Sequence, residues 1–135
     1  MIEQIPVLKI GPILMVSIQT DLHDRMARDL QTSILESIEK TGSPAVMIDI
    51  TALEMVDSFI ARVLSDTARA ARIMNARVVL VGMRPVVTMT LLEMGLELTD
   101  VETAIDVENG LERLGYELNH IDRNSETAMS QGEEE

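Results

Sequence analysis

The stretch running from Val46 to Ala61 constrains this chain more than any other. Val46-Met-Ile-Asp-Ile-Thr51 is apolar or β-branched at nearly every position, and Ala52-Leu-Glu-Met-Val-Asp-Ser-Phe-Ile-Ala61 follows it. A continuous apolar run of strand length suits a strand covered on both faces. Asp57 then falls where a helix must begin, with its carboxylate able to accept a hydrogen bond from a free N–H of the first turn. The hydroxyl of Ser58 is left at the helix mouth, facing solvent and within reach of a partner. A buried strand that ends in a loop and a capped helix calls for layered α/β architecture around it.

The flanking segments extend that architecture. Ile5–Ile10 and Pro12–Ile18 are short apolar runs joined at Gly11-Pro12, which predicts a hairpin. Asp21 is read as the start of a helix reaching about Thr41, with Leu22, Met26, Leu30, Ile34 and Ile38 on one stripe and Ala27 and Leu35 beside them. His23 falls in the first turn of that helix as a surface residue. Gly42 and Ser43-Pro44 end it. In the central helix Ile60, Val63, Leu64, Thr67, Ala71 and Met74 face inward, and Arg62 and Asp66 are spaced to pair. Asn75 is read as a left-handed stop and Arg77–Gly82 as the next buried strand. Pro85 sits at the first position of a helix ending at Gly95. A short last strand is expected within Leu96–Val101, and a final helix from Ala104 to Leu118, weakened by Gly110. The expected fold is a single α/β domain over residues 1–118, a small, mixed, mostly parallel sheet with helices packed against it. Residues 119–135 are expected to form a disordered acidic tail.

Composition narrows the function. Of the net charge of −12, residues 119–135 carry −4, leaving −8 on the rest. That balance, with Phe59 and Tyr116 as the only aromatic residues, opposes nucleic-acid binding by phosphate contact or base stacking. No apolar run is long enough to cross a bilayer, and the first residues do not resemble a secretion signal. The absence of cysteine rules out disulfide and thiolate chemistry and fits a cytoplasmic protein. Most of the ten methionines are expected to fill the core. His23 and His120 lie in no arrangement that makes a catalytic triad or a metal site, and the glycines form no phosphate-binding loop. Asp49 and Asp57 could suggest paired carboxylates, but Asp49 has a structural reading. A phosphoacceptor aspartate at Asp57 would need an acidic pair after the first strand and a late lysine. Lysine occurs only at positions 9 and 40, so that reading fails.

Asp57-Ser58, set between an apolar strand and an apolar helix, resembles the STAS family of anti-sigma-factor antagonists. The resemblance covers residues 4–118. Val56-Asp-Ser-Phe-Ile-Ala-Arg-Val-Leu64, with Leu14-Met-Val-Ser-Ile-Gln19 upstream, is similar to the scaffold-subunit branch of that family, found in the bacterial stressosome. Phe59-Ile60 stands where ordinary antagonists carry a small or hydroxyl residue and a glycine. The resemblance implies a non-catalytic protein without cofactor or metal, with Ser58 as phosphoacceptor. It also implies assembly with copies of itself and with sensor paralogues bearing STAS domains. A switch serine kinase would be held and released, and a phosphatase would reset the system. Asp57, Phe59, Met83 and Arg84 are candidate partner contacts around Ser58. Met83 and Arg84 enter because the end of the next parallel strand should neighbour the Ser58 loop. Two alternatives stay open: a free-standing antagonist binding one anti-sigma kinase, and a small enzyme with an unrecognised site.

Overall fold

The computed structural model describes residues 4–95 and 101–115. Nine elements follow one another: β1 (Val7–Ile10), β2 (Ile13–Ser17), α1 (Asp24–Thr41), β3 (Ala45–Asp49), α2 (Ser58–Ile73), β4 (Arg77–Val81), α3 (Pro85–Glu93), β5 (Glu102–Ala104) and α4 (Val107–Arg113). The five strands lie in sequence order in one sheet. β1 and β2 form the antiparallel hairpin, turning at Gly11, whose φ is +59°. Every later neighbour is parallel, with Leu14 opposite Val46 and Val46 opposite Val78. Strictly sequential order with helical crossovers is the simplest solution for β–α–β units of one hand.

Side-chain alternation along the strands makes two cores of unequal size. On one face Leu14, Val16, Val46, Ile48, Val78 and Leu80 pack with the inner stripes of α1, α2 and α3. On the other, Ile13, Ala45, Met47, Val79 and Val81 pack with Leu111, and with half-buried Val107 and Leu114, of α4. β3 is therefore covered on both sides, and Val46, Met47 and Ile48 have no exposed surface. Gly110 has a packing role: a Cβ on it would lie 3.1 Å from the Met47 Cε, so its absence lets α4 approach the sheet.

Several boundaries differ from the sequence reading. α1 begins at Asp24 rather than Asp21, and His23 is its cap; the Nδ1 accepts a long bond of 3.4 Å from the Met26 N–H. A cap only needs an acceptor in the right place, and histidine supplies one outside the usual cap residues. Asp66 pairs with Arg69, one turn onward, rather than with Arg62. Residues 96–100, most of the expected last strand, lie outside the described residues; β5 forms just after them. Asp106 caps α4 by accepting from the Asn109 N–H at 2.8 Å, so that helix starts at Val107 instead of Ala104, and Leu118 lies outside the described residues. So does the acidic tail.

The methionines also depart from expectation. Met26 and Met47 are buried and Met15 and Met83 half-buried, but Met55, Met74, Met89 and Met94 are exposed. α3 accounts for Met89, and Met94 follows at its C-terminal cap. Its sequence Pro-Val-Val-Thr-Met-Thr-Leu-Leu-Glu is apolar all round, yet only Val87 and Leu91 are buried, leaving Val86, Met89 and Leu92 outside.

Candidate functional site

The site is built where β3 ends. Ile50 and Leu53 remain fully buried after the strand, anchoring a loop whose intervening and following residues Thr51, Glu54 and Met55 are exposed. Asp49 stabilises the turn: its Oδ1 accepts from the Thr51 N–H at 2.9 Å and from the Thr51 hydroxyl at 2.6 Å. This is the local side-chain turn that Asp adopts when its carboxylate folds back on the chain two residues on. Asp49 is thus structural and does not form a carboxylate pair with Asp57. Val56 returns to the core, and Asp57 takes extended backbone geometry and accepts from the Ile60 N–H at 2.9 Å. Ser58 is the first residue of α2 and is exposed. A group attached there meets the partial positive charge of a sixteen-residue helix.

Phe59 is half-buried against the main core, and the Arg28 guanidinium of α1 lies over its ring, 5.1 Å from the centroid. That is cation–π range. Phe59 is both a core residue and part of the surface beside Ser58. Arg84, at the N-terminus of α3, reaches across to the same loop: its Nε donates to the Thr51 carbonyl at 2.8 Å, and its Nη1 is 3.7 Å from Glu54. Met83 is half-buried against the core beside Val56, Ala61 and Leu64. The five residues singled out in the sequence are therefore carried by two adjoining segments, the β3–α2 junction with the first residues of α2 and the β4–α3 junction, and Arg84 ties the segments together.

Gly82 was not recognised from sequence as part of this site. Its φ is +79°, and a Cβ built on it would lie 2.0 Å from the Thr51 Oγ1. Only glycine lets the end of β4 run this close to the loop. The Gly82 at the end of an apolar run was a signal of close backbone approach. Beyond it, a shallow groove of about 490 Å³ lies between α3 and the β5–α4 junction, lined by Met83, Thr88, Leu92, Thr103, Ile105 and Asn109. Among the described residues its lining holds no acid, base or thiol. Among the described residues no three His, Asp or Glu side chains come together as a metal site, and no helix is long and apolar enough to cross a membrane.

The RsbS S58E protein of Moorella thermoacetica superposes with a TM-score of 0.73 at 34% identity, over 84% of this chain and 96% of that one. A chain in the structure described as the molecular architecture of the stressosome, a signal integration and transduction hub, superposes with a TM-score of 0.70 at 38% identity, over 82% and 96%. In sequence, the chain is 29% identical over 86 residues to the RsbT co-antagonist protein RsbRA of Bacillus subtilis (strain 168), covering 64% of this chain. It spans about a third, 31%, of the length of RsbRA. The family pattern described as STAS domain matches residues 4–112, from before the hairpin to the last helix. With the sequential five-stranded sheet and Ser58 at the mouth of α2, the chain belongs to the STAS-domain family.

Proposed function

We propose that this protein is a non-catalytic scaffold and phospho-switch of a stressosome-type assembly. It holds a serine kinase of the RsbT type and releases it when Ser58 is phosphorylated, which regulates a stress or sigma-factor pathway. The observation that carries the reading is the placement of Ser58: an exposed hydroxyl at the first position of α2, beside a capping Asp57, on a loop anchored by a strand buried on both faces. Similarity to RsbS, to a stressosome chain and to an RsbT co-antagonist supports the same reading. STAS-bearing sensor paralogues and further copies of this chain are its assembly partners, and a phosphatase resets Ser58.

The switch follows from charge and shape. Phosphate adds about −1.5 to −2 charges and three acceptor oxygens at one point. The helix N-terminus stabilises an exposed anion there by roughly 0.3–1 kcal/mol, while Asp57 opposes it. The fold survives, because the hydroxyl itself is exposed and supports no buried contact. A partner seated over the helix mouth loses complementarity, and a loss of about 3 kcal/mol weakens binding roughly 100-fold. Asp57, Phe59, Met83 and Arg84 shape the surface that partner meets.

Incubation with ATP and a host lysate, followed by phosphosite mapping of wild type beside Ser58→Ala, tests the assignment. The expected result is phosphate on Ser58 of the wild type and none at that position in the variant. Absence of phosphate with a competent kinase demonstrably present would reduce Ser58 to a helix-start residue. Solution mass separates the scaffold from a free-standing antagonist: a large hetero-assembly with the sensor paralogues is expected, against a one-to-one kinase complex.

A further inference from the structure

Ser58 and Arg62 stand four residues apart on α2, and both are exposed, whereas Ile60, Ala61, Val63 and Leu64 around them are buried. Residues at that spacing share one helix face, with Cβ atoms about 5–6 Å apart. Helical Cα–Cβ bonds tilt toward the N-terminus, so a long side chain at Arg62 can reach over the turn that begins at Ser58. Arg62 also lacks a counter-charge. Asp66, the acid spaced to pair with it one turn below, is bonded to Arg69 instead. The other ion pairs among the described residues join Arg77 to Glu102 and Arg84 to Glu54, so no carboxylate there engages Arg62.

The neighbouring groups are already engaged. α1 runs alongside α2: the Gln31 Nε2 donates to the Thr67 hydroxyl at 3.0 Å, and one turn earlier the Arg28 guanidinium lies over the Phe59 ring. Asp49, Glu54 and Asp57 are the acids of the loop that leads into α2. Asp49 accepts from Thr51, Glu54 faces Arg84, and Asp57 accepts from the Ile60 N–H. The exposed face of the first two turns of α2 therefore holds one hydroxyl and, one turn on, one cation without a partner.

We propose that Arg62 is the intrachain partner of a phosphate on Ser58, its guanidinium fork closing on two phosphate oxygens and holding the group against the outer face of α2. The inference rests on the reading of Ser58 as the phosphoacceptor. An anion four residues N-terminal to a cation is the favoured order on a helix, and a guanidinium matches phosphate oxygens two at a time. In the unmodified protein the hydroxyl carries no charge, and Arg62 stays in solvent where a docked partner can meet it. Phosphorylation then changes the docking surface twice, by adding an anion and by withdrawing a cation.

Phosphoserine installed at position 58 by genetic code expansion makes the test independent of any kinase. Phosphorus NMR titration at low ionic strength reads the pairing through the second ionisation of the phosphate, because a guanidinium favours the dianion and Asp57 opposes it. Arg62→Gln should raise that midpoint by roughly 0.3 pH unit, about a twofold change in the acid constant, and Arg28→Gln by clearly less. Phosphorylation should also lower the urea midpoint more in Arg62→Gln than in the wild type. An unchanged titration midpoint in Arg62→Gln would overturn the pairing. An equal shift from Arg28→Gln would overturn it too, by showing a general field in place of a specific pair. Either failure leaves the Ser58 assignment standing, since that assignment falls only if lysate mapping finds no phosphate there.

Discussion

Ser58, Asp57 and Gly82 divide the site among an exposed hydroxyl, which we propose is phosphorylated, a group that caps and a group that makes room. Asp57 accepts from the Ile60 N–H, so Asp57→Ala should cost about 1 kcal/mol in urea unfolding, while Asp57→Asn retains most of that. Ser58→Ala removes an exposed hydroxyl and should change stability by no more than about 0.5 kcal/mol. Gly82→Ala has two costs, a left-handed φ and a Cβ placed 2.0 Å from the Thr51 Oγ1. It should therefore destabilise by clearly more than about 1 kcal/mol. Gly95→Ala, at φ +69° but in open space, is the control with only the backbone cost. Equal losses for the two glycine variants would show that the approach of β4 to the Thr51 loop is not tight.

At the level of elements, β5 is held to β4 by a bidentate pair as well as by the ladder. Arg77 Nε and Nη2 donate to the two Glu102 carboxylate oxygens at 2.8 and 2.6 Å. The bond from Arg77 holds the Glu102 carboxyl below its ordinary range despite the opposing effect of burial, and the same pair raises Arg77. Because the folded value is the lower one, the pair's contribution is complete above the ordinary Glu pKa of about 4.3 and is lost as pH falls through the depressed value. The carboxylate is about one-fifth exposed and the guanidinium two-fifths, so solvent screens the pair. Glu102→Gln should cost on the order of 1 kcal/mol at neutral pH and flatten the acid limb of the stability profile. An acid limb unchanged in the variant would locate that titration elsewhere. This pair was not legible in the sequence, since β5 has only three residues, too few to show a period. The long elements were legible, because the four-residue stripe of α1 and the apolar runs of β3 and β4 have a strong period. Asp57 was legible as a cap because it sits at the junction of two such patterns. His23 was not, because its cap bond depends on local backbone geometry rather than on residue preference. The exposed Met89 of α3 was misread because periodicity cannot show which side of an apolar helix meets the core.

For the whole molecule, the fold separates its surfaces. The Ser58 mouth lies at the end of the sheet where β3 and β4 finish, with Arg84 bridging the two loops, while α4 packs on the face opposite α1, α2 and α3. A charge change at Ser58 can therefore alter docking without disturbing either core. The measurement that tests this most directly is kinase affinity beside thermal stability, for unmodified protein and for protein phosphorylated on Ser58. The account predicts equal melting temperatures within a few degrees and a kinase affinity lowered roughly 100-fold by phosphate. Unchanged affinity would contradict the switch, and a collapse in melting temperature would show that phosphate acts on folding instead of docking.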